Sequence, residues 1–344
     1  MEGVYRFIEK YKRLSIIGME KNVGKTTLLN KLIDSIEKKK ILGLTSIGRD
    51  GEEIDVVTTT DKPRIYIREG SIIATGRDCL NRCDITKEIL YATDFSTPMG
   101  DIIIVKALSD GYVDIAGPSY NTQVKKIIEL MEYFGSEISI VDGALSRKST
   151  AISDVSEATI LATGAALSLD MQKVIEETKK TVNFLGLEEI EDFLKIKITK
   201  SFQDVKAFFI KKDGSLTGID VSNTIDLSRR IKEFLSEEIE YFCIRGAVTE
   251  KIIETFIENR GSFSKLTLVV EDGTKFFIDS SLYNKALLCG IEFKVLNKIN
   301  LLFITCNPHS PLGIDFDKYE FKRRLEEEIK LPVIDVKGDE NGIY

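Results

Sequence analysis

One short segment, residues 14 to 36, constrains the fold of this chain more than any other part of its sequence. Leu14 to Gly18 is an apolar run, and a glycine-containing loop separates it from the pair Lys25-Thr26. Beyond that pair, apolar residues recur with the 3.6-residue period of a helix face, at Leu28, Leu29, Leu32, Ile33 and Ile36. The pattern predicts a buried strand, a tight loop and an amphipathic helix, which is how a βαβ unit of a parallel sheet begins.

The loop of this unit has the composition of a phosphate-binding P-loop. Gly24 allows the backbone to approach phosphate oxygens, and successive N–H groups at the positive end of the helix hold the anion. Lys25 is expected to act catalytically on the β- and γ-phosphates, and the Thr26 hydroxyl is expected to ligate Mg²⁺. Five residues separate Gly18 from Gly24, one more than is usual. The predicted nucleotide-binding residues are Gly18, Lys21, Asn22, Val23, Gly24, Lys25, Thr26 and Thr27.

Two residues of the loop have alternative interpretations. Lys21 either crosses to the nucleotide of another subunit, as a loop lysine does in one branch of P-loop proteins, or is a solvated surface lysine. Asn22 either bonds within the loop or contacts phosphate.

No Asn-Lys-x-Asp guanine motif occurs in the sequence, which favours ATP over GTP. A homodimer stays open because relatives with this class of loop often dimerise across the nucleotide.

A second Mg²⁺ ligand is expected where a neighbouring strand ends. Asp142 follows the apolar run Ile138 to Val141, which places its carboxylate at the carboxyl edge of the sheet and predicts a metal-binding and catalytic role. A turn residue of the Asp142-Gly143 pair is the alternative. Asp114 competes with it, but the pattern puts Asp114 inside a strand. Asp50, which follows the second predicted strand, is a third candidate for Mg²⁺ or else an ordinary loop residue.

Composition excludes several classes of protein. The chain of 344 residues carries a net charge of -7, which disfavours nucleic acid as a partner. The single histidine, His309, makes a His-rich metal site or a Ser-His-Asp triad improbable. No apolar run approaches the roughly 20 residues of a membrane span, and Met1 to Arg13 lacks the apolar core of a signal peptide. A cytoplasmic location without membrane contact is therefore expected.

The alternation of strands and helices predicts an α/β fold, with a P-loop NTPase domain around a mostly parallel sheet and a second C-terminal α/β domain. The expected P-loop domain covers residues 1–185. A charged linker or connecting segment is expected over 186–238, where the strand and helix pattern weakens. The second α/β domain is expected over 239–344.

The P-loop with five intervening residues resembles that of dethiobiotin synthetase and its relatives. Further matches follow in order along the chain, at Gly43–Gly48, Ser96–Pro98, Val141–Ala144 and Ile160–Leu167. This resemblance implies the fold, ATP and Mg²⁺, with Asp142 where that family has a glutamate and Ser96–Pro98 as a substrate loop. The lysine that the family carries near Thr45 is absent, which disfavours the synthetase reaction.

A second resemblance covers more of the chain. The stretches Gly18–Thr26, Gly43–Glu52, Ala116–Ser119 and Val141–Ala144 resemble a small family identified as the smaller subunit of the lysine 5,6-aminomutase reactivase. The resemblance implies an ATP-dependent subunit that helps to exchange damaged cobalamin on an adenosylcobalamin-dependent aminomutase. It also implies a MutS-like ATPase as the partner subunit.

Three hypotheses about function follow from these patterns. The first is an ATP-hydrolysing reactivating subunit, in which nucleotide moves the polar segment Ile47 to Lys62. The second is a ligase or kinase of the dethiobiotin synthetase type, with a substrate pocket between Ser96–Pro98 and Asp142. The third is a nucleotide-binding regulatory module without useful turnover.

Overall fold

The computed structural model describes residues 2–36, 39–48, 64–144, 155–220, 224–311 and 313–338. The chain divides into two compact units, the first formed by Met1–Lys179 with Asn300–Tyr344 and the second by Lys180–Ile299. No helix in these ranges combines the length and the apolar character that crossing a membrane requires.

The helices of the described residues are, in chain order, α1 (Glu2–Ile8), α2 (Lys25–Ile36), α3 (Arg77–Leu80), α4 (Asn121–Tyr133), α5 (Met171–Leu185), α6 (Asp192–Ser201), α7 (Thr224–Phe234), α8 (Glu250–Glu258), α9 (Ser280–Leu288) and α10 (Lys318–Glu328). The strands are β1 (Arg13–Gly18), β2 (Leu42–Ser46), β3 (Ile65–Ile67), β4 (Ile72–Gly76), β5 (Lys87–Thr97), β6 (Gly100–Ala107), β7 (Gly111–Val113), β8 (Ile138–Ala144), β9 (Ala158–Gly164), β10 (Ala207–Lys211), β11 (Leu216–Ile219), β12 (Ile239–Ile244), β13 (Val248–Thr249), β14 (Leu266–Val270), β15 (Phe276–Phe277), β16 (Ile291–Val295), β17 (Leu301–Asn307) and β18 (Val333–Asp335).

The first unit is built on a sheet whose described strands lie in the order β18-β17-β9-β1-β8-β2-β4-β6-β5. Neighbours from β18 to β4 are parallel, whereas β6 is antiparallel to β4 and β5 is antiparallel to β6. The α/β class and the mostly parallel sheet expected from the sequence are therefore confirmed. Because parallel strands all end at the same edge, β1, β8, β9, β17 and β18 present their carboxyl ends side by side, where ligands bind in open α/β sheets.

Helices cover both faces of this sheet. On one face, α2 packs Leu28 and Leu32 against Leu14 and Ile16 of β1 and Ile140 of β8. The opposite face buries the apolar side of α4, whose residues Val124, Ile127, Ile128 and Met131 form a core with Val141. Side chains alternate between the faces along each strand. Asp142, two positions after Ile140, therefore points its side chain toward the α2 face.

The second unit has its own sheet, with described strands in the order β11-β10-β12-β14-β16. Helices α7, α8 and α9 pack on one face, in a core rich in phenylalanine that includes Phe209, Phe242 and Phe256. Helix α6 packs on the other face through Leu194 and Ile198. All buried members of these two cores lie between residues 184 and 296, so the second unit buries its apolar surface among its own residues.

This division differs from the domain boundaries expected from the sequence. The expected linker, 186–238, contains α6, β10, β11 and α7, and β10 pairs with β12 inside the second sheet. The expected C-terminal domain, 239–344, is split because β17 returns to the first sheet, where Phe303 lies opposite Ile160 of β9. An apolar run such as β17 indicates a buried strand, but its periodicity does not specify which of two sheets it joins.

Candidate functional site

The candidate phosphate loop, residues 18–24, connects β1 to α2 as the sequence predicts. Two of its residues have left-handed backbone conformations, Asn22 with φ 61° and Gly24 with φ 88°. Such residues curve a short loop so that successive N–H groups face a common centre. The N–H groups in the first turn of α2 have no partner within the helix and add to the same positive end. The loop can therefore accept an anion.

Lys25 folds back across this loop. Its Nζ donates a hydrogen bond to the carbonyl oxygen of Glu20 over 3.3 Å. A methyl group on Gly18 would lie only 2.5 Å from Cδ and 2.6 Å from Nζ of Lys25. Gly18 is thus required because the lysine side chain occupies the space above it. The ammonium group is placed where phosphate oxygens held by the loop would meet it.

Asp142 and Thr26 supply oxygen donors on the same face of the sheet. Asp142 lies in β8 directly opposite Ile16 of β1, and its half-buried side chain alternates with Ile140 onto the α2 face. Thr26 lies in the first turn of α2, also half-buried. A hydroxyl and a carboxylate are the hard donors that Mg²⁺ takes, and Mg²⁺ commonly uses one or two carboxylates together with phosphate oxygens and water. The residues present therefore fit a nucleotide-bound Mg²⁺ ion.

A cavity of about 350 Å³ opens on the other side of β1 from Asp142, at the ends of β17 and β18. Val23, Gly24 and Thr27 form its wall toward the loop, and the remaining wall consists of residues 305–309, 315–318 and 335–338. Pockets for small ligands commonly measure ~300–1,000 Å³. The loop, the cavity and Asp142 thus form one continuous row along the carboxyl edge of the sheet.

Comparison with known proteins adds no assignment to this site. No family model, curated protein or solved structure matches the chain.

Two short stretches, residues 307–309 and 315–317, form one rim of the cavity. His309 Nδ1 lies 2.8 Å from Asp315 Oδ2, and the backbone N–H of Ser310 donates to Asp315 Oδ1 over 3.1 Å. The hydrogen bond from His309 lowers the pKa of the Asp315 carboxyl. Phe316 N–H also donates to Pro308 O over 2.9 Å, which joins the two stretches of the rim. The single histidine of the chain is therefore part of a compact rim beside the cavity.

The other acidic candidates do not join this row. Asp114 follows the end of β7 at Val113, so its expected place inside a strand is wrong, and its Oδ2 lies 3.6 Å from Arg82 Nε. Strand β7 pairs with β3 in a separate two-stranded sheet, outside the sheet that carries β1. Asp50, the third candidate for the metal, lies outside the described residues.

The two ambiguous loop residues have different surroundings. Lys21 is exposed, and its backbone N–H donates to the Glu20 carboxylate over 2.8 Å. The carbonyl oxygen of Asn22 accepts a hydrogen bond from the side-chain amide of Asn307 over 3.0 Å. Asn22 is thus tied into the protein through its backbone, an arrangement that neither sequence alternative included.

The expected substrate loop, Ser96–Pro98, does not lie beside Asp142. Ser96 and Thr97 are the last residues of β5 and Pro98 begins the turn into β6, where Thr97 Oγ1 donates to Gly100 O over 2.9 Å. Strands β2 and β4 separate β6 from β8 in the sheet. At about 4.8 Å between neighbouring strands, this turn is displaced laterally by about 14 Å from Asp142.

Sequence reasoning predicted the wall residues Val23, Gly24 and Thr27 as part of the site but missed the opposite wall, which includes Asn307, Asp317 and Asp335. Asn307 and Asp335 are the last residues of β17 and β18, and Asp317 lies between β17 and α10. The sequence pattern places these strands in a separate C-terminal domain. One signal could have located Asn307, since the pair Asn307-Pro308 directly follows an apolar run and so marks a loop at a sheet edge.

Proposed function

We propose that this chain binds Mg·ATP at residues 18–27 and hydrolyses it while acting on another protein. The observation that carries the proposal is the Lys25 side chain folded over Gly18, inside a loop curved by Asn22 and Gly24. A chance Gly-Lys-Thr on a surface turn gives no reason for a lysine to occupy the space above a glycine seven residues earlier in the chain. The P-loop NTPase assignment rests on this geometry together with the spacing of the motif.

The row of features suggests how the nucleotide lies. The triphosphate occupies the candidate phosphate loop, its terminal end points toward Asp142 on β8, and the nucleoside extends into the cavity beside β17 and β18. In this arrangement Lys25 neutralises charge on the β- and γ-phosphate oxygens, which is the main contribution a P-loop protein makes to phosphoryl transfer. Thr26 and Asp142 hold the Mg²⁺ ion, whose chemistry is to neutralise the charge on the transferred group.

Two observations favour a protein rather than a small molecule as the target. The turn Ser96–Pro98 is separated from β8 by two strands, which removes the feature that supported a ligase or kinase. The chain also carries a second folded unit, Lys180–Ile299, with its own core. Together with the sequence resemblance, they support a subunit that uses ATP to reactivate an adenosylcobalamin-dependent aminomutase, working with a MutS-like ATPase.

Nucleotide binding is tested with two lysine variants on the same helix region. Lys25→Ala removes the ammonium from the loop, and Lys40→Ala removes one that donates to Glu9 O over 2.7 Å near the opposite end of α2. Isothermal titration with Mg·ATP should show at least a tenfold loss of affinity for Lys25→Ala, because a charge-assisted contact contributes about 1.5–3 kcal/mol. The Lys40→Ala variant should bind as the parent does. Equal affinity of the parent and Lys25→Ala would contradict the proposal.

The reactivating role is tested separately, with purified aminomutase that has been inactivated by turnover. ATP hydrolysis by the chain should rise when the mutase and the MutS-like subunit are added, and mutase activity should recover only with hydrolysable ATP. A hydrolysis rate that is the same with and without these proteins would reject this role. Binding of ATP with no hydrolysis under any condition would instead support a regulatory module.

A further inference from the structure

Asn307, the last residue of β17, links the cavity rim to the candidate phosphate loop. Its Nδ2 donates to Asn22 O over 3.0 Å and to His309 O over 3.3 Å. Its Oδ1 accepts from His309 N–H over 3.3 Å. Both amide hydrogens and one oxygen lone pair are thus used within the protein. An amide with these partners is committed to holding two backbone segments together.

The residue is also fixed by close packing against two glycines. A methyl group on Gly24 would lie 3.4 Å from Asn307 Cβ, and one on Gly164 would lie 2.6 Å from Asn307 O and 2.9 Å from its Cβ. The carbonyl of Asn307 accepts a hydrogen bond from Ala165 N–H over 2.9 Å. Asn307 is therefore held between the end of β9 and the candidate phosphate loop, with little freedom to turn its amide elsewhere.

The atom that Asn307 holds belongs to the strained part of the loop. Asn22 has φ 61°, a conformation that costs free energy for a residue with a side chain. Such a conformation persists when its surroundings determine it, and the hydrogen bond to its carbonyl oxygen is one such determinant. If that carbonyl were released, the peptide between Asn22 and Val23 could rotate. The Val23 N–H, which belongs to the same peptide, would then change direction and could no longer add to the anion site proposed for this loop.

We propose that Asn307 is a positioning residue that keeps the candidate phosphate loop in its anion-binding shape. This inference rests on the proposed nucleotide-binding function. Asn307 acts through the backbone of Asn22, without touching phosphate, and it connects that backbone through His309 to the rim formed by residues 307–309 and 315–317. Binding of a nucleoside against the rim and binding of phosphate in the loop are thereby coupled, and the coupling is reciprocal.

The test separates a positioning role from direct contact with the nucleoside. Asn307→Ala keeps the Cβ that packs against Gly24 and removes only the amide. Asn300→Ala is the matched control, because Asn300 precedes the same strand and its Nδ2 donates to Tyr11 Oη and Glu157 O, each over 3.1 Å. Affinities for Mg·ATP and for inorganic tripolyphosphate with Mg²⁺ are measured by isothermal titration for the parent and both variants.

The inference predicts that Asn307→Ala lowers the affinity for both ligands by a similar factor of about ten, while Asn300→Ala changes neither affinity. A lower affinity for ATP with an unchanged affinity for tripolyphosphate would make Asn307 a nucleoside contact and would overturn the inference. Unchanged affinities for both ligands would also overturn it. If Asn307→Ala does not fold, Asn307→Ser is measured in the same way. A parent protein that binds neither ligand would instead reject the nucleotide-binding function itself.

Discussion

At the scale of single residues, the site depends on a few backbone positions that leave room for one side chain. Position 18 requires a glycine because the Lys25 side chain fills the space that a Cβ would occupy. Gly24 accommodates both a left-handed turn and the adjacent Asn307. A loop with these constraints places one ammonium group and several N–H groups around a common centre. Its affinity for an anion is therefore sensitive to changes that add only one carbon atom.

Gly18→Ala should displace the Lys25 ammonium and weaken Mg·ATP binding about tenfold or more, with little change in the free energy of unfolding. The added methyl group would collide with the flexible part of the lysine and not with backbone. A double-mutant cycle checks this reason. The Gly18→Ala/Lys25→Ala double variant should bind no more weakly than Lys25→Ala alone, because both changes act through one ammonium group. Additive losses would show that Gly18 acts in another way.

Asp142→Asn should reduce Mg²⁺-dependent ATP hydrolysis about 100-fold, because an amide oxygen cannot supply the negative charge that the metal ion needs. Asp114→Asn is the matched control, since Asp114 pairs with Arg82 beside a separate small sheet. Hydrolysis rates are measured across a range of Mg²⁺ concentrations. A larger effect for Asp114→Asn than for Asp142→Asn would exchange the roles assigned to these two residues.

At the scale of elements, connecting loops are fixed onto the carboxyl edge of the sheet. The loop after β7 lies on the end of β2, where Gly117 N–H donates to Ser46 Oγ over 2.9 Å and Gly48 N–H donates to Pro118 O over 2.9 Å. Ile47 N–H donates to the carbonyl oxygen of Asp142 over 2.8 Å. The end of β2 thus connects the loop at Gly117 to β8, the strand that carries the proposed metal ligand Asp142.

Gly117→Ala should destabilise the first unit by about 3 kcal/mol, which is the upper part of the usual range for overpacking. A methyl group at this position would lie 1.7 Å from the backbone oxygen of Ser46, so the loop or the strand must move. Urea denaturation of this variant is compared with that of Gly143→Ala, where the nearest atom would be 3.8 Å away. Equal stability of the two variants would contradict the close packing at Gly117.

The elements around the site were largely predictable from the sequence because local patterns determine them. The apolar run of β1, the helix face of α2 and the run that ends at Asp142 each indicate one kind of element. Strand β5 was missed because most of its residues from Lys87 to Thr97 are exposed or only half-buried, so no apolar pattern marks it. The residues Ser109–Gly111 are typical of a turn, but β7 after them pairs with β3, and pairing depends on contacts that local patterns do not contain.

At the scale of the whole molecule, each of the two units has core clusters of its own. The core beneath α2 includes Ile8 and Leu14 from the beginning of the chain and Ile334 near its end, but no residue between 180 and 299. The expected arrangement of one domain after another failed for this reason. Both sheets are made of similar buried strands, so the sequence pattern did not reveal that the chain leaves the first unit and later returns to it.

Separate cores predict two unfolding transitions in calorimetry. Mg·ATP at about 100 times its dissociation constant should stabilise the first unit by about 2.7 kcal/mol, because only that unit carries the candidate site. One transition should therefore move to higher temperature, and the other should stay in place. With Lys25→Ala at the same Mg·ATP concentration, the stabilisation should fall to about half of that value or less. An equal shift of both transitions in the parent protein would show that the two units unfold together.

The position of the second unit within the chain also sets an order of events during translation. A ribosome that has released residues up to Ile299 has already made the candidate phosphate loop and Asp142, but not β17 or β18. A nascent or prematurely terminated chain of that length therefore lacks Asn307 and most of the cavity wall, although its second unit is complete. Under the proposed function, the complete nucleotide site forms only after the inserted unit has been synthesised, so a product that stops before β17 should bind ATP more weakly than the finished protein.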